Sequence, residues 1–480
     1  MRAVLIACAA LALLVTPAYA AKPADKGKPP KGKKDRAVAV EHLATLPAPA
    51  AVSANFKRYG DKRYMFASTL SGLYVYDVTD GASPQPAGAL PLPHFQNEDV
   101  SLGGDRLLIS TDGQTGSFLV VVDISSPTTP VIERVIKLEI LGEGHTASCI
   151  DSQCRWVWVA GDQLTPGITV LDLDKAGQAG PADADVSFFG FRVPGTTPSV
   201  VVGEIQGYEE FGGVTHDVHV DQAGIAWVAG MEGTIGFDVN GYGESGDPLN
   251  PPVFARTGDN ARSDGDAFDN PLLTGREPDP ENNKDTVNDF IHHNALRPDA
   301  GKTVLITEED LYNRRTTTSP GGCEVQGSFQ TWRLKGGELT PLDSWKTEFN
   351  ELVAGDEDPW GGDVVPTMGL CSSHYFDERD DLVAVGWYEQ GVRLLDIENP
   401  SNIEQVGYWL PPGGAAWGAY WSPTAKNVLY VVDNKRGIDV LRVRRGQAAP
   451  AEAPILPSWT AGEKRFGKSY PGWGYVCRVR

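Results

Sequence analysis

The chain has 480 residues, of which 63 are Asp or Glu and 42 are Lys or Arg, and its formal net charge is −21. An excess of negative charge repels nucleic acid and anionic lipid, so we expect no nucleic-acid partner. After the first twenty residues no apolar run approaches the roughly 20 residues that a membrane-spanning helix needs, which predicts a soluble protein without a transmembrane segment.

The N-terminus has the pattern of a secretory signal peptide. Arg2 precedes an apolar run, and the triplet Ala18-Tyr19-Ala20 supplies small residues at the expected cleavage point. This pattern predicts cleavage after Ala20 and a secreted, periplasmic or cell-surface protein. Residues 21–37 follow as a linker rich in Lys and Pro without apolar periodicity, which is typical of a flexible spacer.

Between residues 38 and 446 one pattern recurs: a β-rich run, a short polar turn, and a second run that usually ends in an apolar-Asp-apolar triplet. The second runs are Leu73–Val78, Phe118–Ile124, Ile168–Leu173, Ile235–Val239, Phe329–Leu334, Val392–Ile397 and Ile438–Val443. Runs of β-branched and aromatic residues separated by turns indicate hairpins, and helical periodicity is nearly absent. Seven such repeats predict an all-β fold, a seven-bladed β-propeller with four strands in each blade.

The ends of the repeat region indicate how the ring closes. Segment Val38–Pro47 resembles the outer-strand ending Glu404–Pro411, so we expect the N-terminal strand to complete the last blade. Long insertions are expected at 240–290 and 308–327, and residues 447–480 form a C-terminal tail beyond the propeller.

Three repeats have a recognisable form. Segments Phe118–Pro130 (FLVVVDISSPTTP), Gly391–Gly407 and Gly72–Gly88 resemble the repeats of LVIVD-type bacterial propellers. The resemblance extends over about residues 38 to 445, and two units depart from it by carrying Arg in place of the repeat aspartate. It implies an exported propeller and no particular activity.

One aligned position of the repeats, called the column below, contains residues that can bind a metal ion. Aligning the starts of the innermost strands places His145, His216, His293 and His374 at one position of four consecutive units, and Glu98 at that position of the unit before them. In a propeller this position lies at one mouth of the central channel, so these side chains are expected to converge. Imidazole is a common ligand of Cu, Fe and Zn, which predicts a four-histidine metal site with Glu98 as a fifth ligand or as an orienting group. Carotenoid-cleaving oxygenases also take four histidines from propeller blades, and the arrangement resembles theirs.

Alternatives to this site remain open. Repeats share residues by descent, so the column is also explained by histidines that hydrogen-bond a neighbouring blade. Because neighbouring residues of a strand face opposite sides, His292 can replace His293 as the inward residue. His94 lies in a loop near the site and stays possible, whereas His219 is expected to face away. The first and last units place Phe56 and Trp417 in the column.

Five cysteines remain after removal of the leader, and an exported protein can oxidise them. Cys149 and Cys154 flank a short polar turn, which favours a disulfide across a hairpin. Cys323 and Cys371 form the next candidate pair and leave Cys477 over, although spacing does not fix the connectivity.

No complete catalytic signature accompanies these features. The first functional expectation is therefore an exported monomeric propeller that binds a small-molecule or protein ligand through its channel-mouth loops. The alternative is a metal-dependent oxidoreductase with the four-histidine site on the propeller axis.

Overall fold

The structure is a computed structural model. It describes residues 38–94, 98–111, 117–138, 143–161, 167–175, 186–188, 191–193, 196–197, 201–204, 215–231, 233–244, 246–258, 291–309, 327–347 and 372–446. The predicted signal peptide, basic linker and C-terminal tail lie outside these ranges, as do Cys323, Cys371 and Cys477.

Apart from a 3₁₀ turn at Pro298–Ala300, the regular elements in these ranges are β-strands. In chain order they are β1 Val38–Leu46, β2 Ala51–Tyr59, β3 Lys62–Thr69, β4 Gly72–Asp77, β5 Gln85–Pro91, β6 Leu102–Gly103, β7 Arg106–Thr111, β8 Ser117–Asp123, β9 Val131–Leu138, β10 Glu143–Cys149, β11 Trp156–Gly161, β12 Ile168–Asp172, β13 Val186–Phe188, β14 Phe191–Val193, β15 Thr196–Thr197, β16 Val201–Glu204, β17 Thr215–Val220, β18 Ile225–Gly230, β19 Gly233–Asp238, β20 Val253–Thr257, β21 Ile291–Leu296, β22 Thr303–Glu309, β23 Ser328–Lys335, β24 Glu338–Trp345, β25 Phe376–Arg379, β26 Leu382–Gly386, β27 Val392–Asp396, β28 Glu404–Trp409, β29 Ala416–Trp421, β30 Val428–Asp433 and β31 Gly437–Arg445. The chain is therefore all-β in its described part, as the repeats predict.

Consecutive strands form antiparallel sheets. The orders are β2-β3-β4-β5, β6-β7-β8-β9 with β15 beside β9, β10-β11-β12-β16, β25-β26-β27-β28, and an eight-stranded sheet β17-β18-β19-β20-β24-β23-β22-β21; β13 and β14 form a separate hairpin. The eight-stranded sheet consists of two antiparallel four-strand runs, joined where β20 pairs in parallel with β24 over two residues. Strand β20 lies within the predicted insertion 240–290, so part of that range is regular β-structure, while residues 259–290 lie outside the described ranges.

The N-terminal strand completes the last sheet, as expected from the sequence. Strand β1 pairs antiparallel with β31, in a sheet of order β1-β31-β30-β29. The apolar residues of this sheet pack against the first sheet, where Met65 and Tyr76 share a cluster with Val432 and Val440. The first and last strands of the described part of the chain thus meet, which is what closure of a ring requires.

The core consists of apolar layers between successive sheets. Phe66 and Val75 of the first sheet contact Leu107 and Val120 of the next. Both faces of an inner strand are buried in this way, so its residues are mostly apolar in sequence rather than alternating with polar ones. Burial of each such side chain contributes on the order of 1.5–3 kcal/mol before entropy is subtracted.

Two repeat glycines permit the third strand of a sheet to begin tightly. Gly72 and Gly391 have φ values of +141° and +73°. A Cβ at either position would lie 2.2 Å from a carbonyl oxygen of the adjacent outer strand, that of Leu90 or Trp409. Substitution there requires backbone movement, which explains why the repeat begins with Gly.

The disulfide predicted for the third unit is present, since Cys149 and Cys154 are bonded at the turn between β10 and β11. Among the described residues no helix has the length and apolar character that a membrane crossing needs.

Candidate metal centre

β-Bulges place three of the four predicted histidines. In the innermost strands β10, β17 and β21 the pairing with the next strand shifts at His145, His216 and His293. A bulge leaves a residue out of the regular ladder and redirects its side chain. The same irregularity occurs at Trp417 of β29, so the repeated column has a common backbone cause.

His374 reaches the column just ahead of β25. Its backbone N–H donates to the carbonyl of Gly386, whose own N–H donates to the carbonyl of Tyr375. These bonds extend the pairing of β25 with β26 back to His374. Glu98 comes from the segment before β6 in the second unit.

The first unit departs from the sequence alignment. The bulge of β2 lies at Val52, between Ala51 and Ser53, whereas Phe56 pairs regularly with Met65 farther along the strand. The assignment of Phe56 to the column is therefore wrong, and Val52 occupies that position. No polar side chain marks this point of the first unit, so the sequence offered nothing to align on.

The five predicted ligands meet at one oxygen atom. Glu98 Oε2 lies 3.2 Å from His145 Nε2, 3.7 Å from His216 Nε2, 3.4 Å from His293 Nε2 and 3.3 Å from His374 Nε2. Ligand atoms about 2.1 Å from one ion lie roughly 3.0 Å apart at a right angle and about 3.4 Å apart at the tetrahedral angle. The observed separations from Glu98 Oε2 match this range, and Glu98 forms one close group with His293 and His374 and another with His145 and His216, each within 4.8 Å. All five residues are buried, with at most 4% of any of them exposed.

Hydrogen bonds fix which imidazole nitrogen faces the centre. His374 Nδ1 lies 2.6 Å from the carbonyl oxygen of Trp417, and His216 Nδ1 lies 3.1 Å from that of His293. A carbonyl oxygen only accepts, so Nδ1 of each ring carries a proton, and each ring, when neutral, directs the lone pair of its Nε2 towards Glu98. Donation of the remote N–H to a backbone carbonyl is the usual support of a metal-ligating histidine.

One contact within the cluster needs a proton or a metal ion between two nitrogens. His145 Nε2 and His216 Nε2 are 2.9 Å apart. Because His216 presents a lone pair there, the approach is favourable only with a proton or a metal ion between the two nitrogens. A neutral His145 that carries its proton on Nε2 supplies the first, and a bound ion supplies the second.

The electrostatics of the cluster suit a cation. Burial opposes ionisation of Glu98, but His374, His145 and the other imidazoles outweigh it and hold the pKa of this carboxyl well below its usual range. Burial, followed by repulsion from neighbouring imidazoles, lowers the pKa of His216 well below 6.5 and that of His293 to about 3. At neutral pH the cluster therefore combines a carboxylate with neutral imidazoles at His216 and His293.

Aromatic residues surround the cluster. The Tyr375 ring meets those of His293 and His374 edge-on at 4.8 and 4.9 Å between centroids, and its hydroxyl lies 3.4 Å from Asp217 Oδ1. Trp417 Nε1 donates to Glu98 Oε1 over 3.4 Å. The second oxygen of the Glu98 carboxylate is thus held while Oε2 faces the histidines.

The other candidate histidines lie elsewhere. His292 bonds Thr234 Oγ1 through Nδ1 at 2.9 Å and packs against Trp332, so His293 is the residue of the column. His94 is buried with Nδ1 donating to the Leu92 carbonyl, and the exposed His219 takes no part.

A second carboxylate, not foreseen from the sequence, lies beside the histidines. One oxygen of Glu309 and one ring nitrogen each of His216 and His293 lie within 4.8 Å of one another. Tyr388 donates its hydroxyl to Glu309 Oε1. The signal for this residue was weak: Glu309 ends the second strand of its unit, outside the column of innermost-strand starts.

Comparisons with known proteins identify the fold and leave the activity open. No family model matches the chain. Human diphthine methyltransferase is 28% identical over 94 residues, which cover 20% of this chain, and the match spans about a fifth (20%) of that relative's length. The β-propeller domain of Cps50 (Swd1) from Myceliophteria thermophila superposes with a TM-score of 0.52 and 11% identity, covering 84% of this chain and 100% of that one. The chain is therefore an all-β protein with the β-propeller fold.

Proposed function

We propose that this chain holds one transition-metal ion on the propeller axis, bound by His145, His216, His293, His374 and Glu98, and that it acts as a metal-dependent oxidoreductase. The observation that carries the proposal is the approach of four Nε2 atoms to one buried carboxylate oxygen, at distances of 3.2 to 3.7 Å. Burying such a polar cluster costs free energy unless its members are hydrogen-bonded, paired or bound to a metal ion, and one ion would satisfy all of them together.

The donor set favours particular metals. Structural zinc sites hold four ligands in a closed tetrahedron, whereas this cluster offers four nitrogens and a carboxylate. Nitrogen and oxygen donors suit iron and copper, and an ion held by these residues would be able to take an exogenous ligand as well. When bound, such an ion supplies one-electron chemistry, while Trp417 and the backbone carbonyls orient the ligands around it.

We also propose the number of blades, the repeat group and the export of the protein. We count the eight-stranded sheet as two blades joined at their outer strands, which gives a seven-bladed propeller closed by β1. The LVIVD-type repeats Phe118–Pro130 and Gly391–Gly407 support membership of that group of exported propellers. The signal-peptide pattern ending at Ala20 supports export. The protein then acquires its metal either outside the cytoplasm after export, or inside the cytoplasm if the chain folds before it is exported.

The competing function is ligand or partner binding by the channel-mouth loops without a metal. The propeller fold commonly presents such surfaces, so the fold is compatible with it. The buried cluster is what distinguishes the two functions, because surface binding has no need of convergent imidazoles with preset tautomers.

Elemental analysis of protein made without a histidine tag separates them. We expect about one equivalent of iron or copper in the wild type, and loss of at least about 90% of it in His216→Ala, since removal of a ligand costs more than the 10 to 100-fold typical of a supporting residue. His219→Ala is the matched control, because His219 is exposed on the same strand. Full occupancy by zinc alone argues against redox chemistry, and a metal-free wild type that cannot be loaded rejects the metal centre.

Reduction and oxidation of the loaded protein test the oxidoreductase part. Electron paramagnetic resonance is expected to show a metal signal that changes reversibly on reduction and is absent from His216→Ala. A metal-loaded protein that shows no change of oxidation state between strong chemical oxidant and reductant contradicts it.

A further inference from the structure

Glu309 and Tyr388 form a buried polar pair that the proposed metal ligands do not include. Glu309 is 3% exposed and Tyr388 is 2% exposed. The Tyr388 hydroxyl donates to Glu309 Oε1, and the Glu309 carboxyl lies within 4.8 Å of a ring nitrogen of His216 and of His293. Burying a carboxyl group costs free energy unless hydrogen bonds or a charged partner compensate for the lost water.

The pair is held from both sides. Glu309 ends β22 opposite Ile291, two residues before His293, so the same hairpin carries a proposed ligand and the carboxyl group. The Tyr388 ring packs against those of His374 and Trp417, with centroid distances of 4.8 and 4.7 Å. The carboxyl group is thus tied to the metal centre by two separate elements.

Tyr388 adopts an unfavourable backbone conformation to take this position. Its φ of +40° lies in the left-handed region that residues other than Gly rarely adopt. Two backbone hydrogen bonds with Ala416 hold it, from Tyr388 N–H to the Ala416 carbonyl at 2.9 Å and from Ala416 N–H to the Tyr388 carbonyl at 2.8 Å. Strained residues of this kind persist where the surrounding structure fixes them, and they concentrate at functional sites.

Glu309 is better placed as a neighbour of a bound ligand than as a ligand itself. Glu98 Oε2 lies within 3.7 Å of all four Nε2 atoms, whereas Glu309 approaches only His216 and His293. A carboxylate accepts hydrogen bonds and repels anions, so it favours exogenous ligands that carry an O–H or N–H group.

We infer that Glu309, positioned by Tyr388, selects the exogenous ligand of the metal, favouring neutral hydrogen-bond donors such as water, alcohols and amines over anions. This inference rests on the proposed metal centre. Tyr388 acts through Glu309 and is a positioning residue. Glu309→Gln removes the negative charge and supplies an N–H donor in nearly the same volume, which reverses the preference.

The probe is azide, an anion that accepts but does not donate hydrogen bonds, titrated into iron- or copper-loaded protein and followed by its charge-transfer absorption. We expect Glu309→Gln to bind azide about tenfold more tightly than the wild type, the size of effect expected for a charge about 5 Å away in a partly screened site. Tyr388→Phe removes the hydroxyl that holds Glu309, and we expect it to raise azide affinity by a smaller factor than Glu309→Gln does. Glu338→Gln, an exposed carboxyl on β24, is the control and is expected to leave azide affinity unchanged.

Metal content separates the possible failures. Equal azide affinity in the wild type and Glu309→Gln, with metal retained in both, overturns the inference and leaves the metal centre standing. Loss of metal from Glu309→Gln while the variant stays folded also overturns it, because Glu309 is then a ligand. A wild type that binds no metal contradicts the proposed function itself.

Discussion

His216 and His219 lie three residues apart on β17 and have opposite environments. His216 sits at the bulge, buried with its Nε2 3.7 Å from Glu98 Oε2, while His219 is exposed and pairs across the strand with Trp227. The bulge at one residue thus separates a candidate metal ligand from a surface histidine on the same short strand. This pair provides the internal control for every test of the metal centre.

Metal removal is expected to lower the thermal stability of the protein. An ion that binds only the folded state stabilises it by about 2.7 kcal/mol when its free concentration is 100 times the dissociation constant. Stripping the ion with a chelator should therefore lower the melting temperature of the wild type and of His219→Ala by several degrees, and leave that of His216→Ala unchanged. Equal melting temperatures with and without chelator in all three proteins would speak against a bound ion.

The stability of the protein is expected to fall as the pH decreases from about 6.5 to about 4, in part because of His94. Burial lowers the pKa of His94 to about 4 from the ordinary value of 6.5, so the unfolded state binds the proton first. The contribution of neutral His94 to the free energy of unfolding is complete above the pKa of the unfolded state. It is lost as the pH falls to the pKa of the folded state, and the total loss is about 3 kcal/mol.

Urea unfolding of the wild type and of His94→Gln between pH 4 and 7 measures this contribution. The difference between the two unfolding free energies should shrink as the pH decreases, since only the wild type pays for keeping His94 neutral. A difference that is constant over this range would refute the assignment to His94.

Arg297 and Asp221 form a buried ion pair that ties the strands of two proposed ligands. Arg297 Nε lies 2.6 Å from Asp221 Oδ2, to which Trp227 Nε1 also donates at 2.9 Å. Arg297→Met leaves Asp221 buried without its cation, and we expect a loss of about 3 to 5 kcal/mol of unfolding free energy.

The double variant Arg297→Met with Asp221→Asn should recover part of that loss, because no uncompensated charge remains. Chemical denaturation of the single and double variants measures the coupling. Losses that simply add would show that the pair contributes nothing beyond its separate residues.

The disulfide is expected to stabilise the fold without affecting the metal. Cys149 and Cys154 close a short loop at the end of β10 away from His145. Replacing both by Ala should cost about 2 kcal/mol, as loop-closure entropy suggests for a loop of this size. Calorimetry of the variant measures the loss of stability, and elemental analysis measures its metal content. Loss of metal from a folded variant would contradict the expectation that the disulfide does not affect the metal.

The sequence predicted the strands and the histidine column because both depend on repetition. Each unit repeats the same alternation of turns and apolar runs, so the pattern of one unit supports the assignment of strands in the others. His145, His216, His293 and His374 were found in the same way, since four polar residues at one repeat position stand out against apolar strands.

What the sequence did not reveal depends on contacts between units. Val52 was missed because a bulge leaves no composition signal where the residue is apolar, and Phe56 was aligned in its place. Glu309 was missed because it comes from the end of a second strand, outside the column of innermost-strand starts, and its approach to His216 depends on how neighbouring units pack. The choice of His293 over His292 required the position of the bulge, which moves the inward side chain by one residue.

The most direct test of the central claim is the anomalous scattering of a crystal of untagged protein, measured on both sides of the iron and copper absorption edges. We expect one strong peak at bonding distance, about 2.1 Å, from Nε2 of the four histidines and from Glu98 Oε2. A fully ordered cluster with no anomalous peak after metal loading, or a peak bound by other residues, would contradict it.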